Sequence, residues 1–198
     1  MEVRASLEIS SLATLHPGVA LFERTAAPMI YRLSVSPFAT EAGTSERTVR
    51  VEHRSDPTLV RVVSWAEVSQ ETLDECSRIG RTLGTNDLTE WAAIGMMDLL
   101  IHNLEGSSVL GVVEQGGGGD YWISFESGEP SAQIEVSGIL DDPTGAAIRS
   151  RVREKREQLL KMRHSGFVSV TAFGYKGSSE ILSVLDFVER EADRDPVA

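Results

Sequence analysis

The fold prediction rests on two short segments near the middle of the chain, GDYWISF (residues 119–125) and AQIEVSGIL (residues 132–140), which the turn SGEP separates. Apolar and polar residues alternate from 132 to 137, so the second segment predicts a strand with Glu135 and Ser137 on one face. Asp120 opens the first segment, directly after a run of glycines that lets a backbone come close to a neighbour. If the two segments pair as a hairpin, Asp120 and Glu135 converge at one edge of a sheet.

The elements on either side of this hairpin predict an α/β core. An amphipathic helix over about 87–104 and an apolar strand at 109–113 precede it. After it, Asp142 and Pro143 suit the N-cap and first position of a helix that runs to about residue 163. A strand over 167–173 and a closing amphipathic helix over 179–191 follow. The predicted order is helix, three strands, helix, strand and a last helix.

The N-terminal part of the chain predicts β-strands, because apolar residues alternate with polar ones and turn-forming residues lie between the segments. The alternating segments are 3–9, 29–35, 49–51 and 59–65. We expect an antiparallel sheet or a small sandwich here, and no residue type in it indicates chemistry.

The predicted organisation has three parts. Residues 1–66 form an N-terminal β-rich region, residues 67–192 an α/β core with a leading helix over 67–83, and residues 193–198 a frayed tail. Cys76 lies on the apolar stripe of the leading helix, where we expect a buried structural thiol.

Composition narrows the class of protein. The chain has 198 residues, of which 41% are hydrophobic and 25% charged, as in ordinary globular proteins. Its single cysteine excludes an intramolecular disulfide framework and a multi-cysteine zinc site. The N-terminus lacks the basic start and apolar run of a signal peptide, and the longest apolar helical stretch is too short to span a bilayer. We therefore expect a cytoplasmic protein with no membrane partner.

The charged residues are distributed unevenly. The net charge of −11 argues against a general nucleic-acid coat. Residues 82–148 contain eleven acids and no lysine or arginine, whereas residues 149–163 contain seven basic residues and two acids. One interpretation is an acidic surface with one solvated basic helix. The other is an acid cluster that binds metal, beside a basic helix that contacts the phosphates of nucleic acid. The basic residues are Arg149, Arg151, Arg153, Lys155, Arg156, Lys161 and Arg163.

Two carboxylates that meet in space with no basic neighbour in sequence suit a hard divalent cation such as Mg²⁺. Such a cation activates water and stabilises a phosphoryl oxyanion. Glu135 is the strongest candidate, because an acid in mid-strand between apolar residues is disfavoured by propensity and costly if buried alone. Asp120 has a second interpretation, a turn cap after the glycines.

These residues and the order of elements resemble the PD-(D/E)XK, or restriction-endonuclease-like, nuclease superfamily. Its core runs helix, three strands, helix, strand, with an Asp at the start of the second strand and Glu-x-Lys on the third. Asp120 and the segment Glu135-Val136-Ser137 stand in those places, and the resemblance covers residues 87–175. It implies a fold of that type and Mg²⁺ bound by both acids.

The resemblance also implies a third acid from the first core helix, for which Glu90 is the candidate metal ligand. The alternative is that Asp87 and Glu90 form a capping arrangement at the start of their helix.

Ser137 departs from the superfamily pattern, because a lysine is expected there. In some members that lysine moves to the following helix, and Lys155 falls on the inward stripe of the helix here. The alternative is that Lys155 extends past apolar neighbours to water. Under either interpretation we expect Lys155→Met to keep or slightly raise stability. The apolar members of the stripe are Ile148, Val152, Leu159 and Met162.

Two functions follow from these residues. The first is a Mg²⁺-dependent nuclease acting on DNA or RNA, with Asp120, Glu135 and Lys155 as catalytic residues and helix 149–163 as the nucleic-acid surface. The second is an inactive nuclease-fold subunit that binds a protein partner or a second copy of itself, as in a bacterial defence or processing complex. Ser137 and the base-free acidic stretch favour the second function. An unrelated α/β binding domain is the third possibility.

Overall fold

The computed structural model of the chain describes residues 5–15, 21–34, 45–54, 56–113, 119–125, 130–161, 165–176 and 180–189. The strands are β1 (Ala5–Glu8), β2 (Glu46–His53), β3 (Asp56–Ser64), β4 (Ser108–Val112), β5 (Tyr121–Ser124), β6 (Ala132–Ile139), β7 (Gly166–Tyr175) and β8 (Glu180–Val188). The α-helices are α1 (Leu12–Leu15), α2 (Leu21–Ser34), α3 (Gln70–Thr82), α4 (Thr85–Glu105) and α5 (Ala146–Lys161), and a 3-10 turn covers Ile9–Ser11. The protein is therefore a mixed α/β structure.

The strands form one mixed sheet in the order β1-β3-β2-β8-β7-β6-β5-β4. β4, β5 and β6 pair antiparallel in sequence order, which confirms the predicted hairpin and its neighbouring strand. β6 and β7 pair parallel, with α5 as the crossover between them. The predicted order of helix, three strands, helix and strand is confirmed as α4-β4-β5-β6-α5-β7.

Helices cover the two faces of this sheet, which creates two hydrophobic clusters. Ile134 and Val136 of β6 belong to the larger cluster, which includes buried residues of α2, α3 and α4. The smaller cluster contains Ile148, Val152 and Leu159 of α5, as the sequence predicts. Because side chains alternate along a strand, Glu135 points to the α5 side. Met162 lies outside the described residues.

The predicted strand over 29–35 is wrong, since residues 21–34 form helix α2. Its buried apolar residues have helical spacing and pack with α3 and α4, whereas Tyr31 is only partly buried. Pro28 lies inside the helix, so tertiary packing outweighs a local helix breaker. The buried residues in the described part of α2 are Thr25, Ala26, Ala27, Pro28, Met29, Ile30 and Leu33.

The N-terminal region also differs from an isolated antiparallel sheet. β2 and β3 are antiparallel, but β1 pairs parallel with β3. β2 pairs parallel with β8, so the sheet continues across residue 66 into the core. The tail over 193–198 lies outside the described residues.

The predicted closing helix over 179–191 is wrong, because residues 180–188 form strand β8. β8 lies between β2 and β7 in the interior of the sheet. A strand buried on both faces loses the period-two pattern, and its apolar run then resembles a helix. No helix in the described part of the chain has the length and apolar character needed to cross a membrane.

Candidate functional site

The candidate site forms where a short strand ends beside a longer one. β5 has four residues and β6 has eight, and their pairing covers only residues 132–134 of β6. Among the described residues, the second half of β6 therefore has β7 on one side and an open edge on the other. An open edge exposes backbone N–H and C=O groups to whatever lies beside it.

Asp120 occupies the first position of this open edge. Its backbone N–H donates to the Ile134 carbonyl at 3.0 Å, and its Oδ2 accepts from the Val136 N–H at 2.7 Å. The carboxylate thus takes the place of the next backbone partner in the ladder. This pairing holds Asp120 beside Glu135, as the hairpin predicts.

Lys155 of α5 reaches both carboxylates. Its Nζ donates to Glu135 Oε2 at 2.5 Å and lies 3.8 Å from Asp120 Oδ2. The Lys155 side chain is 15% exposed and that of Glu135 is 6% exposed, so the ammonium is held in the site and does not extend to bulk water. The structure therefore brings together the three predicted catalytic residues.

The environment of Glu135 opposes its negative charge. Burial raises the pKa of its carboxyl above the ordinary value, the hydrogen bond and the charge of Lys155 lower it, and the charge of Asp120 raises it. The net direction is upward. Glu135 is thus a carboxylate that depends on a nearby cation for its ionised form.

A pocket of about 400 Å³ opens beside these residues, between α4 and α5. Asn86, Thr89 and Glu90 form its α4 wall, and Arg151 and Lys155 form its α5 wall. Asp120 and residues 136–138 of β6 line the base, and Leu140 completes the lining. Ser137, in the place of the missing lysine, faces this pocket.

Gly138 allows the α4 wall to approach β6. A Cβ added at Gly138 would lie 2.4 Å from the carbonyl oxygen of Thr89, which is backbone and has little freedom to move. Glycine at this position therefore sets the distance between α4 and β6. It also places Glu90, the residue after Thr89, at the pocket.

Glu90 lies at the pocket but does not complete a metal cluster with the other two acids. Within the described residues, no group of three or more Asp, Glu, His or Cys side chains is arranged to hold a metal ion. Glu90 is near enough for its charge to act on Tyr121. Burial raises the pKa of Tyr121 to about 12, together with the negative charges of Asp120, Glu90 and Asp98. Glu90 is therefore a charged residue of the pocket wall.

The predicted capping role of Asp87 and Glu90 is wrong, because α4 begins at Thr85 with Gly84 at its N-cap and no side-chain cap hydrogen bond.

The thiol of Cys76 is buried, as the sequence predicts. Burial raises its pKa to about 11, which suits a structural role.

The sequence does not single out Asn86 or Thr89, and it gives Arg151 only as part of the basic helix over 149–163 and not as a residue beside the acids. Arg151 had a signal, because it lies four residues before Lys155 and therefore on the same helical face. Asn86 and Thr89 had none, because their place in the pocket depends on how α4 packs on β6.

The basic helix predicted as a nucleic-acid surface is α5, and part of its charge is paired. Arg156 pairs with Asp186 of β8, and Arg151 Nη1 lies 3.6 Å from Glu154. Arg149, Arg153 and Lys161 are exposed, and Arg163 lies outside the described residues.

Comparisons with known proteins add no relative, since no protein-family model, curated protein or solved structure matches this chain.

Proposed function

We propose that the chain is a Mg²⁺-dependent phosphodiesterase of DNA or RNA with a restriction-endonuclease-like core. The observation that carries the proposal is the convergence of Asp120 and Glu135 on Lys155, beside a polar pocket at an open strand edge. The element order α4-β4-β5-β6-α5-β7 supports it. Asp120 lies at the start of β5, the second strand of this core, and Glu135 lies on β6, the third. The exposed arginines of α5 would contact substrate phosphates.

The donor set fits Mg²⁺. This ion is usually held by one or two carboxylates, with water and substrate phosphates completing its coordination, so a cluster of three protein acids is not required. Asp120 and Glu135 would hold it, with Glu90 as a further negative charge on the pocket wall. The bound ion would supply a Lewis acid and an activated water.

Lys155 would stabilise the negative charge that develops on the phosphoryl oxygens, or orient the attacking water. Its position on α5 compensates for Ser137, which cannot supply a cation from β6. Because the ammonium lies in a largely buried site, its charge acts through less solvent than a surface lysine's would.

A second candidate function is an inactive nuclease-fold subunit that binds a protein partner or a second copy of the chain. The contact that favours it is the same ion pair, since Lys155 already pairs with Glu135 and lies near Asp120, the two carboxylates that a metal would need. In that case the cluster is a structural ion pair, and Ser137 marks the loss of catalysis.

Cleavage of labelled single- and double-stranded DNA and RNA in millimolar Mg²⁺ tests the first function. We expect the wild-type protein to cleave at least one substrate. Asp120→Asn, Glu135→Gln and Lys155→Met should each lower the rate by about a hundredfold or more, because each removes a preorganised charge. Asp142→Asn is the matched control, since it changes another buried acid outside the pocket and should retain activity. Absence of cleavage of every substrate would contradict the first function and favour the second.

A further inference from the structure

The pocket has a second cation on its α5 wall, Arg151. It lies one helical turn from Lys155, and both side chains line the pocket. With a rise of 1.5 Å per residue, four residues separate them by about 6 Å along the helix axis. This separation is comparable to one nucleotide step along a sugar–phosphate backbone.

Lys155 and Arg151 differ in how strongly each is paired with carboxylates of the protein. Lys155 is engaged by Glu135 and Asp120, at 2.5 Å and 3.8 Å. Within the described part of the chain, Arg151 pairs with Glu154 at 3.6 Å, and both of those side chains are about half exposed. An exposed pair of this kind contributes little and is readily exchanged. The guanidinium of Arg151 is therefore available to a ligand.

The rest of the lining indicates which part of a nucleic acid would enter. None of the described residues that line the pocket has an aromatic ring. Proteins that hold single strands by their bases use aromatic side chains as stacking surfaces. Asn86 and Ser137 offer polar groups instead, which suit phosphate and sugar oxygens.

We propose that Arg151 is a substrate-positioning residue that binds the phosphate next to the one that reacts. Its planar guanidinium donates two parallel hydrogen bonds to the phosphate oxygens, while Lys155 contacts the neighbouring phosphate that reacts. Asp120 and Glu135 would hold the cation beside that phosphate. The pocket thus recognises the sugar–phosphate backbone and does not read bases. This inference rests on the proposed nuclease function.

The test compares Arg151→Gln with Arg61→Gln, which also removes one positive charge. Arg61 donates to Asn103, near the end of α4 farthest from the pocket. Cleavage of a short DNA duplex and its RNA counterpart gives kcat and KM, and binding is measured over a series of salt concentrations in the Glu135→Gln background. Arg151→Lys is included because it keeps the charge but loses the bidentate geometry.

Arg151→Gln is expected to weaken binding roughly tenfold to a hundredfold and to raise KM with little change in kcat. The slope of log affinity against log salt should fall by about one, as expected for the loss of one phosphate contact. Arg151→Lys should retain the slope and lose part of the affinity. Arg61→Gln should match the wild type in all three measurements.

A duplex in which uncharged methylphosphonates alternate with phosphates identifies the contact, because every charged phosphate then has an uncharged neighbour in whatever register the duplex binds. In the Glu135→Gln background, Arg151→Gln should weaken binding of the unmodified duplex but leave binding of this modified duplex unchanged. If Arg151→Gln keeps wild-type KM and salt slope while the wild type cleaves, the inference is overturned and the proposed function stands. If the wild type neither cleaves nor binds any of the single- or double-stranded substrates, the proposed function fails and the inference fails with it.

Discussion

Two buried acids lie close together in sequence, yet the fold treats them differently. Asp142, 1% exposed, accepts hydrogen bonds from the backbone N–H groups of Ala147 and Ile148 at 3.2 Å and 2.8 Å. Burial alone would raise the pKa of Asp142, but these and other backbone donors outweigh it and lower the pKa. Glu135, 4% exposed, pairs with the Lys155 ammonium within the described residues, and burial raises its pKa.

The difference separates a structural acid from a candidate functional one. The first turn of α5 stabilises the ionised form of Asp142, because the unpaired N–H groups of a helix start need acceptors. The surroundings of Glu135 destabilise its ionised form, so its charge is not explained by stability alone. A buried ionisable group whose surroundings disfavour its charged form, beside a pocket and a specific charged partner, is typical of a functional site.

Lys155→Met is expected to have the largest effect on stability, lowering the free energy of unfolding by about 3 kcal/mol at neutral pH. The reason is that Glu135 would remain buried without its cation. The sequence alone led to the opposite expectation, because it did not show that the ammonium has a buried partner. Urea denaturation measures the change.

The double variant Lys155→Met/Glu135→Gln serves as the control, and it should recover most of that loss because no buried charge remains. If Lys155→Met is as stable as the wild type, Glu135 does not depend on Lys155, and the contrast with Asp142 disappears.

Asp142→Ala is expected to lower the free energy of unfolding by about 1–2 kcal/mol, since the first turn of α5 loses a side-chain acceptor. Asp142→Asn keeps an acceptor oxygen and should lose less. Both values come from the same urea denaturation series. A loss for Asp142→Ala larger than that for Lys155→Met would reverse the ranking of the two sites.

The two acids should also give stability a dependence on pH of opposite sign. The pKa of Glu135 is raised above 4.5, so the stability it gives is present below that value and is lost as pH rises through the raised pKa. The pKa of Asp142 is lowered below 3.8, so its contribution is present above that value and is lost as pH falls through the lowered pKa.

Free energies of unfolding for the wild type, Glu135→Gln and Asp142→Asn, measured from about pH 3 to about pH 8, check both signs. Relative to Glu135→Gln the wild type should become less stable as pH rises. Relative to Asp142→Asn it should become less stable as pH falls. Parallel curves for the two variants would show that the acids are equivalent.

Strand β6 and helix α5 were predicted because each keeps one apolar stripe in its sequence, so its period is visible. Strand β7 is buried along its whole length and was predictable from its β-branched and aromatic residues. Periodicity fails for β8, an interior strand whose apolar run resembles a helix, and for α2, where a partial alternation around Tyr31 hides a helical pattern. The apolar–polar pattern of a segment identifies its secondary structure only where one side of that segment is buried and the other is not.

The site divides in the same way. Glu135 was predictable because it is an acid in mid-strand between apolar residues, and Lys155 because it is a charged residue on the apolar stripe of its helix. The helix start at Asp142 was recognised, although α5 begins at Ala146 and not at Pro143. The open edge of β6 was not predictable, because it depends on the relative lengths of two strands. Neither was the place of Asn86 at the pocket, since packing between α4 and β6 sets it.

The carboxyl titration of Glu135 tests most directly whether Asp120 and Glu135, with Lys155, form the proposed site for a divalent cation. The pKa of Glu135 would be followed by NMR of its labelled side-chain carboxyl, with and without millimolar Mg²⁺, with Asp142 as the internal control. Mg²⁺ should lower the pKa of Glu135, because a bound cation favours the ionised form, and should leave the pKa of Asp142 unchanged. A Glu135 titration curve that does not move on addition of Mg²⁺ would contradict the account.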